Sequence, residues 1–163
     1  MSTFSTSVKL AGVAVLLLLT ACSTNKPATT GPGVTSENII PGSKRDFEVN
    51  VGDRVFFEYD SSDLSDTARG TLQKQAAWLA KYPSVSLSVE GHCDERGTRE
   101  YNLALGARRA SAAKEYLVSL GVKAGRMETI SYGKEKPMCV ESNEGCWAQN
   151  RRAVSVISGG VSS

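Results

Sequence analysis

Val85, Leu87 and Val89 alternate with Ser86, Ser88 and Glu90. That period of two marks a half-buried strand. It lies between two stretches with helical period. Ser65 is placed to cap a helix running to about Lys81, with an apolar stripe of Ala68, Leu72, Ala76 and Leu79. Pro83 marks the break before the strand. A second helix is expected from about Arg99 to Leu120, with Leu105, Ala112, Tyr116, Leu117 and Leu120 inward and Gly121 ending it. Further strands are expected at Arg54–Tyr59, Met127–Tyr132 and Ala153–Ile157. Strand, helix, strand, helix, strand, strand predicts an α/β sandwich: a mixed four-stranded sheet with two main helices packed on it.

The chain ahead of this domain reads differently. Lys9 is the only charge in the first twenty-one residues, and Leu10 to Leu19 is almost wholly apolar. A positive start, a short apolar run and small residues before a cut make an export signal. The run is too short to span a bilayer, which takes about twenty apolar residues. Leu19-Thr20-Ala21-Cys22 resembles the lipobox of bacterial lipoproteins, which implies cleavage after residue 21 and lipidation of Cys22. Ser23 stands where Asp tends to retain such proteins in the inner membrane, so the outer membrane is expected. Residues 22–44 carry Pro27, Pro32, Pro41 and Gly31, Gly33, Gly42 among Ser and Thr. Such a segment buries too little to fold alone and reads as a flexible tether. As a coil it spans roughly 25 Å, and stretched roughly 70 Å. The expected division is therefore 1–21 signal, 22–44 lipidated cysteine and tether, 45–163 folded domain.

The formal net charge of +2 lacks the basic excess of a nucleic-acid binder. Cys139 and Cys146 sit in a loop-like stretch of an exported chain, which suits a disulfide, with two free thiols as the alternative. The spacing is not that of a zinc site, and His92 is the only histidine. No metal or cofactor is expected. Cys93 reads as a small buried side chain. Trp78 and Trp147 read as packing residues rather than sugar platforms, and Arg151-Arg152 as holding the last strand or touching glycan.

Asp60 follows the first strand, Asp94 follows the second, and Arg108-Arg109 lie on the second helix. Ligands in α/β sheets favour the crevice beyond strand ends. Arg grips a carboxylate through parallel N–H bonds, and Asp suits an ammonium. Together they fit a zwitterion, although the same residues also fit a loop cap and a solvated helix face.

Gly91-His92-Cys93-Asp94-Glu95-Arg96-Gly97-Thr98, Tyr101-Asn102-Leu103, Leu105-Gly106 and Arg108-Arg109-Ala110 resemble the signature of the OmpA-like peptidoglycan-binding family. Ser131-Tyr132-Gly133-Lys134-Glu135-Lys136-Pro137 and Asn150-Arg151-Arg152-Ala153-Val154 extend the likeness over about residues 45–158. The resemblance implies non-covalent binding of diaminopimelate in uncrosslinked stem peptides. Asp94 and Arg109 would hold its ammonium and carboxylate, with Asp60 and Tyr59 beside the pocket and Thr98, Asn102 and Leu105 lining it. Lipoproteins of this family tie the outer membrane to peptidoglycan, bind periplasmic TolB and serve envelope integrity and cell division. The alternatives are an envelope lipoprotein without Tol partners, or a wall hydrolase, for which no nucleophile motif stands out. This chain departs from the family pattern at Cys93, at Glu58-Tyr59 and in its Cys139–Cys146 loop.

Overall fold

The computed structural model describes residues 39–160. The expected signal, Cys22 and most of the expected tether lie outside the described residues. A short helix α1 (Lys44–Asp46) is capped by Ser43, whose Oγ accepts from the Asp46 amide at 3.1 Å. It runs directly into a π-helical stretch, Phe47–Gly52. Strand β1 (Arg54–Phe56), helix α2 (Asp66–Lys81), strand β2 (Ser86–His92) and helix α3 (Arg99–Ser119) follow. Strand β3 (Met127–Gly133), helix α4 (Glu144–Asn150) and strand β4 (Arg152–Gly159) complete the domain.

The sheet order is β1-β4-β2-β3. Strand β2 pairs parallel with β3 and antiparallel with β4, and β1 pairs antiparallel with β4. A parallel pair needs a crossover, and α3 supplies it. The mixed sheet is thus the one the element order predicts. Leu87 and Val89 are buried on β2 while Ser86, Ser88 and Glu90 are half-buried, as their alternation requires. Ser65 Oγ accepts from the Ala68 amide at 3.2 Å and starts α2. Ala68, Leu72, Ala76 and Leu79 all turn inward. They meet Val85, Leu87, Val89, Ala110, Ala113, Leu117, Met127 and Ala153 in one core. Arg126 closes the far end of α2 by donating to the carbonyls of Leu79 and Tyr82, and to that of Val85.

Helix α3 approaches the sheet through glycines. A Cβ on Gly91 would overlap the Gly106 carbonyl and lie 3.1 Å from Gly106 Cα. Only two bare backbones fit at that crossing. The helix ends on Gly121 at φ 96°, with the Val122 amide donating to Leu117 O and the Gly121 amide to Val118 O.

Four expectations need correction. Strand β1 stops at Phe56 rather than Tyr59. The carbonyls beyond it are taken by distant arginines, Arg151 on Phe57 O and Arg109 on Glu58 O, and Asp60 turns the chain with φ 53°. The domain starts before residue 45, because Gly42 is already buried and its amide donates to Asp46 Oδ2. Gly91 and His92 belong to β2 and not to the following loop. The inner face of α3 is Asn102, Leu105, Gly106, Arg109, Ala110, Ala113 and Leu117. Leu120, expected inside, is exposed, and Ala112 is half-buried. That face carries glycine and polar groups, so counting apolar residues rotates it.

Candidate binding cleft

The expected site residues converge. Tyr59, Asp60, Asp94, Thr98, Asn102, Leu105 and Arg109 all line one cleft of about 500 Å³. Cys93, Arg96, Gly97 and Tyr101 complete its lining. It opens where β2 ends, where β1 turns and where α3 begins.

Thr98 caps α3, its Oγ1 accepting from the Tyr101 amide at 3.1 Å. Residues 98, 102, 105 and 109 then fall on one side of the helix, at intervals of four, three and four. Asn102 Nδ2 donates to Arg96 O at 2.7 Å and Thr98 O at 3.0 Å, which ties the loop after β2 to the helix.

Arg109 is fully buried. Its Nε donates to Ser61 O at 2.8 Å, one terminal nitrogen to His92 O at 2.9 Å and the other to Glu58 O at 3.1 Å. Three of its five N–H groups thus hold backbone from both sides of the cleft. Burial draws its pKa down, opposed by Cys93 and Asp94. An arginine so placed remains a cation.

Asp94 is buried beside it. Its carboxylate accepts from the Arg96 amide and Nε at 3.1 Å, from a terminal Arg96 nitrogen at 2.7 Å, and from Arg151 at 3.4 Å. Burial works to raise its pKa, but the Arg96 and Arg151 hydrogen bonds hold it below the usual carboxylate value. Arg96 is itself sandwiched, 4.1 Å from the ring centres of Tyr59 and Trp147. Glu144 pairs with Arg151 at 2.6 Å and with Arg96 at 3.9 Å. At the rim the Tyr101 hydroxyl donates to Asp60 Oδ1. That bond pushes the phenol pKa up.

The Cys93 thiol donates to Asn102 O at 3.3 Å, and burial raises its pKa. It is a packing group and a poor nucleophile. His92 is buried and lies 5.4 Å from the Tyr132 ring, outside the cleft lining. Burial, then Arg152 and Lys136, lower its pKa to about 4. Among the described residues no cluster of His, Cys, Asp or Glu is arranged to hold a metal. Cys139 and Cys146 are joined in a disulfide. Trp78 is buried against Phe47, with ring centres 4.9 Å apart, and donates to Asp46 at 2.8 Å. Arg151 and Arg152 are both buried.

Sequence reasoning missed Arg96 and Tyr101. Tyr101 was within reach, since it sits one turn after the Thr98 cap. Arg96 was not, because its two ring partners come from distant segments. The cleft as built offers fixed cations and anions at its base and rim.

The sheet order, the cap at Thr98 and the Asp94–Arg109 floor define a class. The chain belongs to the OmpA family, whose model matches residues 56–151. Within that family its relatives are the peptidoglycan-associated lipoproteins. It is 51% identical over 162 residues to the peptidoglycan-associated lipoprotein of Rhizobium meliloti strain 1021, covering 98% of this chain and 92% of that protein. The crystal structure of the peptidoglycan-associated lipoprotein from Burkholderia pseudomallei superposes with a TM-score of 0.66 at 40% identity, over 71% of this chain and 99% of that one. The C-terminal domain of Helicobacter pylori MotB shares the fold, with a TM-score of 0.62 at 23% identity, over 66% of this chain and 84% of that domain.

Proposed function

We propose that this chain is an outer-membrane lipoprotein that holds peptidoglycan non-covalently. Cys22 carries the lipid, residues 22 to about 41 form the tether, and the domain faces the periplasm. The ligand is the free zwitterionic end of diaminopimelate in an uncrosslinked stem peptide. Asp94 and Asp60 meet its ammonium. Arg109 meets its carboxylate through the N–H groups that the backbone carbonyls leave over. Tyr59, Thr98, Asn102 and Leu105 form the walls. As part of a Tol-Pal system, the domain exchanges peptidoglycan for TolB, keeps the envelope intact and helps draw the outer membrane inward at division. No bond is broken in any of this, and the raised Cys93 thiol gives no support to a hydrolase.

The observation that carries the reading is the convergence of all seven expected residues on one cleft with a buried arginine beside a buried aspartate. The test is a calorimetric titration of the full chain, in detergent, with stem peptides of two kinds. A diaminopimelate peptide should bind saturably. A lysine-type peptide lacks the carboxylate, leaves Arg109 N–H groups unpaired, and should bind about ten- to a hundredfold more weakly. Asp94→Asn should weaken the first and leave the circular dichroism spectrum unchanged. Equal binding of both peptides would overturn the reading of Arg109. Capture of TolB by the chain, competed by the diaminopimelate peptide, tests the Tol branch. Absence of capture would leave an envelope lipoprotein without Tol partners.

A further inference from the structure

Helix α4 has seven residues and cannot hold itself. Two of the ties that fix it lead to Cys139. Near its N-terminus Cys146 is bonded to Cys139. At its C-terminus Asn150 Oδ1 accepts from the Met138 amide at 2.7 Å and the Cys139 amide at 3.0 Å, and Nδ2 donates to Cys139 O at 2.6 Å.

The residue after Cys146 is Trp147, one of the two rings enclosing Arg96. Its Nε1 donates to Glu95 Oε1 at 2.9 Å, which fixes the ring against the loop after β2. Glu144, the first residue of the helix, holds Arg151. Among the described residues, Arg96 and Arg151 are the side chains that hydrogen-bond the Asp94 carboxylate. Both are therefore braced by α4, and α4 is braced by the disulfide.

We propose that the Cys139–Cys146 disulfide is a positioning element of the cleft: by holding Trp147 over Arg96 it sets the Asp94 carboxylate for the ligand's ammonium. This rests on the cleft being the peptide site. Without the bond, Asn150 still ties the far end of α4 to the loop. The first turn loosens, Trp147 leaves the Arg96 face part of the time, and Asp94 loses its fixed aim. The fold itself keeps its main core, because Cys139 is only half-buried and Cys146, though buried, lies outside the packed cluster of α2, α3 and the sheet.

The test uses the full chain in detergent and a diaminopimelate-containing stem peptide. Dithiothreitol supplies the reduction: its two thiols pass two hydrogens to the two sulfurs and close into a ring disulfide. A Cys139→Ser, Cys146→Ser double variant removes the bond permanently. Emission from Trp147 is followed in a Trp78→Phe background. Reduction and the double variant should each weaken binding by about tenfold, through lost preorganisation, and shift the Trp147 emission while a cooperative melt persists. Removing the dithiothreitol and adding oxidised glutathione, whose disulfide takes up the two hydrogens and leaves as two thiols, should restore the reduced chain and leave the double variant unchanged. With the disulfide intact, Trp147→Phe keeps a ring for Arg96 but loses the bond to Glu95, so it should bind between wild type and the reduced chain, and Trp147→Ala should match the reduced chain. Binding by the oxidised chain that reduction changes by less than about twofold overturns the proposal alone. Failure of the oxidised chain to bind overturns the reading of the cleft and the proposal with it. A melt abolished by reduction also overturns it, by making the bond a requirement of the fold.

Discussion

Replacing Gly91 by alanine tests whether the cleft is set by a backbone-to-backbone crossing. A methyl group there would overlap the Gly106 carbonyl, well inside the 3.0 Å that real Cβ contacts keep, and would stand 3.1 Å from Gly106 Cα. The obstacle is helix backbone, which cannot rotate away like a side chain. Helix α3 must lift from β2 by roughly 1 Å, against a core that resists expansion. The reciprocal change meets the same crowding, since a Cβ on Gly106 would strike the Ser131 hydroxyl. Overpacking of this kind costs about 3 kcal/mol, the upper part of the usual range. In a domain of this size that lowers Tm by about 12 °C or more. Urea denaturation with circular dichroism measures the first quantity, and calorimetry the second. Arg109 and Asn102 ride on the same helix, so stem-peptide binding should fall even at temperatures where the variant is folded. A loss below about 1 kcal/mol with unchanged peptide affinity would refute the argument that the glycine crossing sets the cleft.

Gly70 gives the opposite case: it lies within α2 with nothing within 4 Å of a built Cβ, so Gly70→Ala should raise stability by about 0.5–1 kcal/mol in the same urea assay. Arg109→Lys keeps a charge but cannot reach Ser61, His92 and Glu58 carbonyls together. It should cost about 2 kcal/mol in denaturation and lose most of the stem-peptide affinity. His92 has its folded pKa lowered from 6.5 to about 4, so the unfolded chain binds the extra proton between those values. Its effect is to lower stability as pH falls from 6.5 to about 4. His92→Phe should flatten that part of a stability-against-pH curve. An unchanged slope would show that other groups set it.

The central elements were legible because several local signals agreed. In α2 a cap, a stripe and a proline stop all point to one helix, and in β2 the alternation leaves one face for the core. The N-terminal helical stretch was not legible. Phe47-Glu48-Val49-Asn50-Val51 alternates like a strand and carries β-branched residues. It coils because Phe47 packs on Trp78 and Gln75 Nε2 reaches Gly52 O at 2.7 Å, contacts that no local pattern announces. The seven cleft residues were found through motif order, since composition alone left them open. What surrounds them was hidden. That Arg96 would lie between Tyr59 and Trp147 depends on where β1 stops and where α4 sits, and both follow from long-range hydrogen bonds.

Beyond Phe57, whose amide donates to Arg151 O at 2.9 Å, the described chain has no ladder partner before α2. Its carbonyls at Phe57, Glu58 and Ser61 are held by the guanidiniums of Arg151 and Arg109. A wall built on side-chain clamps opens separately from the sheet behind it. Amides from residue 58 to 64 should therefore exchange with deuterium through small local openings, long before the core strands do. A ligand bridging Asp60 and Arg109 would close those openings, so the wall's own breathing rate becomes a readout of occupancy.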